Sequence, residues 1–73
     1  MIRVLITDPI SDNGIKILEE SGIEVLNKPG VDSDELMNLL PNIDGWIIRS
    51  GTKVSKDHLE HSKKLRVIGD YNE

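Results

Sequence analysis

Cysteine and phenylalanine are absent, and the aromatic residues come down to Trp46 and Tyr71. Without cysteine there is no disulfide, no thiolate nucleophile and no thiolate metal ligand. Without phenylalanine the core must be built from Ile, Leu and Val, which suits strands buried on both faces. A basic stripe is lacking as well. Nine Lys and Arg against thirteen Asp and Glu give a net charge of -4, with the acidic residues scattered, which argues against nucleic acid as a partner. No apolar run approaches the roughly 18 residues of a membrane span. The first residues open directly on a strand pattern rather than a signal-peptide layout, so no membrane partner and a cytoplasmic setting are expected. The glycines Gly14, Gly22 and Gly30 do not make the G-x-G-x-x-G of a dinucleotide fold, so no cofactor is expected to bind this chain. His58 and His61 are three apart and can share a helix face, but no third ligand accompanies them and a zinc site needs three or four. They read as solvated helix residues.

What remains is an ordinary folded composition, 37% hydrophobic and 30% charged over 73 residues, enough for one small domain. The pattern alternates. Ile2 to Thr7 reads as a buried strand stopped by Asp8-Pro9, and Ser11 to Ser21 as a helix ended by Gly22. Ile23 to Asn27 is a second strand, followed by the turn Lys28-Pro29-Gly30. A helix from Asp32 to about Leu40 stops at Pro41. Gly45 to Arg49 is the third strand, Ser55 to about Lys64 the third helix and Leu65 to Ile68 the fourth strand. Each helix start has a side chain suited to accept from an orphan first-turn N–H, at Ser11, Asp32 and Ser55. Each is preceded by an apolar residue (Ile10, Val31, Val54) placed to staple onto Ile15, Leu36 or Leu59. Asp32 with Glu35 resembles a capping box. The fold class is therefore α/β, a β-α-β-α-β-α-β chain whose short connections require a parallel sheet with right-handed crossovers.

In such a sheet ligands bind beyond the carboxyl ends of the strands, where strand order reverses. For the flavodoxin-like order 2-1-3-4 that point lies between the first and third strands. It is flanked by Thr7-Asp8-Pro9 and Arg49-Ser50-Gly51-Thr52. Arg49 offers a planar fork of donors for carboxylate or phosphate. Ser50 and Thr52 add hydroxyls, Gly51 permits close backbone approach, and the helix start at Ser55 points N–H groups towards the same region. The same residues also fit a solvated turn. Asp8 is read as shaping the Pro9 turn in preference to pairing with Arg49, and Trp46 as core. Lys63, Lys64 and Arg66 read as a solvated, dipole-favoured end of the third helix.

The stretches Val4-Leu5-Ile6-Thr7-Asp8-Pro9-Ile10-Ser11, Asp44 to Val54 (Asp-Gly-Trp-Ile-Ile-Arg-Ser-Gly-Thr-Lys-Val) and Leu65-Arg66-Val67-Ile68-Gly69 resemble segments of the D-3-phosphoglycerate dehydrogenases. The second is similar to their "(L/I)IVRS-x-TKV" and the third to their "LKVIG". The resemblance covers residues 2–69. It implies the front of a flavodoxin-like substrate-binding domain in an NAD-dependent D-2-hydroxyacid dehydrogenase of serine biosynthesis, with an anionic small-molecule substrate. Arg49 and Ser50, with Gly51, are then the substrate-binding residues. The nucleotide-binding domain and the catalytic Arg, Glu and His of that family are not in these 73 residues, so no catalytic residue is assigned.

The expected organisation is a partial substrate-binding domain at 1–69 and a short polar tail at 70–73, inactive alone. The departure from the family after Gly69 suggests a truncated sequence. Other readings are a free-standing module that pairs with dehydrogenase subunits, or part of another D-2-hydroxyacid dehydrogenase. A receiver-like signalling domain is disfavoured because Arg49, not Asp, ends the third strand. The topology also predicts that the first helix lies alone on one face of the sheet. Apolar strand residues there and the edge of the fourth strand are left open, so self-association is expected.

Overall fold

The computed structural model describes residues 1–71. Four strands, β1 (Arg3–Ile6), β2 (Glu24–Asn27), β3 (Gly45–Ile48) and β4 (Val67–Asp70), alternate with helices α1 (Asp12–Glu20), α2 (Ser33–Leu39) and α3 (Lys56–His61). All strand pairs are parallel, in the order β2-β1-β3-β4. The expected topology is thus the observed one.

Local sequence accounts for the helix starts. The Ser11 hydroxyl accepts from Gly14 N–H, the Asp32 carboxylate from Glu35 N–H and the Ser55 hydroxyl from His58 N–H. Asp32 and Glu35 do not form a reciprocal box, because the Glu35 carboxylate turns to Lys28 at 3.3 Å. The reciprocal box is at α3, where His58 Nδ1 accepts from Ser55 N–H at 3.1 Å. Pro41 does not simply stop α2; it sits in a 3-10 turn, Leu40–Asn42, that continues the helix by one tighter step.

Two boundaries differ from the sequence expectation. Helix α3 ends at His61 rather than near Lys64, because Ser62 caps it and its hydroxyl donates to the His58 carbonyl at 2.6 Å. Strand β4 begins at Val67 instead of Leu65 and runs through Asp70. Leu65 packs on the core instead, and Tyr71 N–H donates to Ile48 O at 2.7 Å. Asp70 and Tyr71 therefore extend the sheet rather than begin a polar tail; positions 72–73 lie outside the described residues.

The register puts Leu5, Trp46 and Ile68 in one cross-sheet row and Val4, Gly45 and Val67 in the next, on the opposite face. The first face holds the core cluster of Leu5, Leu36, Leu40, Ile43 and Trp46, covered by α2, the 3-10 turn and residues beside α3. Of the five fully buried large side chains, four belong to that cluster; Ile6 is the exception. Each contributes about 1.5–3 kcal/mol as an upper bound, so this face carries most of the stability. Among the described residues, α1 is the one helix on the other face. A groove of about 360 Å³ remains open there, lined by Ile2, Val4, Leu18, Ile23, Ile47 and Val67 among others. Val67 is 61% exposed. The open face expected from the topology is present.

Candidate functional site

Strand β1 ends at Thr7-Asp8-Pro9 and β3 at Arg49-Ser50-Gly51-Thr52. The two strands are neighbours, and the chain leaves β1 for one edge of the sheet and β3 for the other. This is the switch point where parallel sheets open a crevice.

Three sets of contacts build it. The indole of Trp46, fully buried, donates from Nε1 to Thr7 Oγ1 at 3.0 Å. Thr7 Oγ1 lies 2.9 Å from Thr52 Oγ1, so the core tryptophan, the end of β1 and the loop after β3 share one hydroxyl. Asp8 Oδ2 accepts from the main-chain N–H of Arg49 at 2.7 Å. Arg49 Nη1 donates to Pro9 O at 3.0 Å. Arg49 is half-buried and Ser50 exposed. The ion pairs among the described residues are Arg3–Glu24, Lys16–Glu20 and Lys28–Glu35, so none of these pairs engages the Arg49 guanidinium.

At Gly51 the close neighbour is Asp8. The glycine's φ is not positive, so backbone conformation does not demand glycine. A Cβ there would lie 2.6 Å from Asp8 Oδ1, so the carboxylate demands it. A cleft of about 290 Å³ with a mixed lining runs beside the loop, bounded by Thr7, Asp8, Val31, Leu36, Gly51 and Thr52 among others. Gly51 and Thr52 line this cleft, while the Arg49 guanidinium turns to Pro9 O.

Several expectations change. Asp8 does more than shape the Pro9 turn: its carboxylate holds the β3 loop through an amide 41 positions away in the chain. The start of α3 contributes less than expected, because the Ser55 and His58 N–H groups are both spent within the capping box. His58 also packs edge-on to Trp46 with ring centroids 5.4 Å apart, and His61 Nδ1 bonds to Asp57 O at 2.8 Å. Both histidines therefore serve their own helix, and among the described residues no group of His, Cys, Asp or Glu is placed to hold a metal. Trp46 is core, as expected. Thr7 was missed as a network centre; its position one residue before Asp-Pro was the available signal.

Chemically, the arrangement is a guanidinium fork tethered at one corner, an exposed hydroxyl and a glycine backbone, all suited to an oxyanion. Comparisons with known proteins give the family. The family model for the D-isomer specific 2-hydroxyacid dehydrogenase catalytic domain matches residues 4–72. The chain is 45% identical over 69 residues to a D-3-phosphoglycerate dehydrogenase of Methanocaldococcus jannaschii, covering 94% of this chain and 13% of that protein. It is 34% identical to another from Archaeoglobus fulgidus, covering 93% of this chain and 13% of that one. The crystal structure of the TT0316 protein from Thermus thermophilus superposes with a TM-score of 0.81 at 25% identity, covering 94% of this chain and 23% of that one. The chain spans about an eighth of the length of these two dehydrogenases, 13% in each case.

Proposed function

The chain belongs to the D-isomer specific 2-hydroxyacid dehydrogenase family, and we propose that it supplies the front part of the substrate-binding domain of a D-3-phosphoglycerate dehydrogenase-like oxidoreductase. The reaction is then the NAD-linked oxidation of 3-phosphoglycerate in serine biosynthesis, in the cytoplasm. The observation that carries this reading is Arg49. Its guanidinium stands at the β1/β3 switch point, anchored by Pro9 O at 3.0 Å, with no ion-pair partner among the described residues. The tether restricts the long side chain before a ligand arrives, which lowers the ordering cost on binding. The remaining guanidinium N–H groups suit the carboxylate or phosphate of the substrate, while Ser50 donates its hydroxyl and Gly51 lets the loop close onto Asp8.

NAD accepts the hydride when bound, but the residues described here do not fit it. There is no G-x-G-x-x-G. A Cβ added at Gly14, in the first turn of α1, would make contact with Ser11 Oγ, Ile10 and the Tyr71 hydroxyl at 3.4–3.7 Å, so no open backbone cradle lies beside this glycine. In this reading the dinucleotide and the acid–base residues belong to other parts of the enzyme, and this chain alone binds and orients the anion without turning it over.

The test is an NMR titration with 3-phosphoglycerate. Amide shifts centred on Arg49 to Thr52, with an affinity of about millimolar or weaker, are expected, since few hydrogen bonds must offset the cost of association. Arg49→Ala abolishes them. Arg49→Lys restores them only in part, because a point charge does not reproduce the bidentate fork. Shifts elsewhere with none around Arg49 refute the assignment.

A further inference from the structure

We propose that Asp8 is the positioning residue of this site: a buried carboxylate that locks the backbone of Arg49–Gly51, so that the arginine fork and the Ser50 hydroxyl are presented together to an oxyanion. This rests on the reading of that loop as an anion site, and adds to it a residue that does not itself hold the ligand.

Thr7 N–H donates to Ile47 O at 3.3 Å. In a continuing parallel ladder the next bond runs from Arg49 N–H to Thr7 O. That carbonyl instead accepts from Gly30 N–H, on the β2 side, at 3.3 Å. Pro9 then prevents β1 from extending as a ladder strand. Asp8 Oδ2 takes the place of the lost main-chain acceptor, at 2.7 Å from Arg49 N. A bond with an ionised acceptor is shorter and stronger than the neutral one it replaces. Asp8 is only 7% exposed, a depth at which a carboxylate without donors is costly. No buried side-chain nitrogen or oxygen among the described residues lacks a partner.

The second carboxylate oxygen acts sterically. Asp8 Oδ1 lies where it meets any Cβ at position 51, at 2.6 Å, so the loop comes this close to the carboxylate only because residue 51 is glycine. The residue following Asp8 completes the hold, through Pro9 O on Arg49 Nη1. Arg49 is thereby clamped twice, its amide by Asp8 and its guanidinium by Pro9. No ion pair joins the Asp8 carboxylate to that guanidinium, so the clamp leaves the positive charge to the ligand.

The experiment uses inorganic phosphate as probe, on the wild-type chain, Asp8→Asn, Asp8→Ala, Gly51→Ala and the double variant Asp8→Ala/Gly51→Ala. Two quantities are read: phosphate affinity from the amide shifts of Arg49 to Thr52, and the hydrogen-exchange rate of the Arg49 amide without ligand. Asp8→Asn is nearly isosteric and protects against the objection that the fold is lost. It also separates the two roles by sign. A carboxylate that is merely a nearby negative charge repels phosphate, so its removal tightens binding; a positioning carboxylate weakens it when removed. The expected loss is about threefold for Asp8→Asn and about tenfold or more for Asp8→Ala, with Arg49 amide exchange faster by similar factors. Gly51→Ala is expected to match Asp8→Ala, yet to add little in its background, because the clash partner is gone. Tighter phosphate binding by Asp8→Asn, or unchanged Arg49 exchange in Asp8→Ala, overturns the proposal. If the wild-type loop ignores phosphate, the anion reading itself falls and this proposal with it. If it responds and all variants respond alike, this proposal fails by itself.

Discussion

Thr7→Val is the sharpest probe of how the core is wired to the site. The exchange conserves shape and removes one hydroxyl. That hydroxyl accepts from Trp46 Nε1 at 3.0 Å and faces Thr52 Oγ1 at 2.9 Å. Thr7 is 5% exposed and Trp46 fully buried, so the indole N–H has no water to turn to. An orphaned buried donor costs about 1–3 kcal/mol. For a domain of this length total stability is about 4–11 kcal/mol, so the loss is a large fraction of it. At roughly 4–8 °C per kcal/mol for a domain this small, a 2 kcal/mol loss lowers Tm by about 8–16 °C. The assay is urea unfolding followed by the fluorescence of Trp46, the single tryptophan, with the midpoint expected to fall while the slope stays constant. Thr7→Ser keeps the acceptor and should cost clearly less. Thr52→Val leaves Thr7 Oγ1 free to serve the indole and should also cost less. Combining Thr7→Val with Trp46→Phe removes donor and acceptor together, so the pair should lose less than the sum of the single changes. A Thr7→Val protein within about 0.5 kcal/mol of wild type, which is the scatter of neutral substitutions, or no more impaired than Thr7→Ser, refutes the reasoning.

The purified chain should not reduce NAD with 3-phosphoglycerate; heat-sensitive turnover in a contaminant-free preparation contradicts the proposed division of labour. The chain should also self-associate. The groove beside α1 and the exposed Val67 of β4 leave apolar surface and a strand edge without cover, the combination that invites pairing with another chain. Sedimentation should show concentration-dependent assembly that Val67→Lys weakens, with monomer stability measured alongside. A strictly monomeric, cooperatively unfolding species at high concentration argues against it.

The sequence by itself determined the elements and their order. A helix cap acts over three residues, as Ser11 does on Gly14 and Ser55 on His58, so local sequence suffices to place it. Apolar strands, short connections and right-handed crossovers then leave few topologies. The block Arg49-Ser50-Gly51-Thr52 was legible as a candidate site because its residue types suit an oxyanion and its position ends a strand. Tertiary structure decided what lies between distant segments. The shift of β4 to Val67–Asp70 follows from its pairing with Gly45–Ile48, a register that the Leu-Arg-Val-Ile pattern does not specify. The end of α3 at His61 depends on Ser62 turning back to the His58 carbonyl while the chain packs onto the core. His58 reads as a solvated helix residue until its partners, Ser55 N–H and the Trp46 ring, are seen. Asp8 and Thr7 look like ordinary strand-end residues, because what they hold lies 39 to 45 positions away. Contacts of that span have no local signature: their energy arises only when the folded sheet brings β1 beside β3.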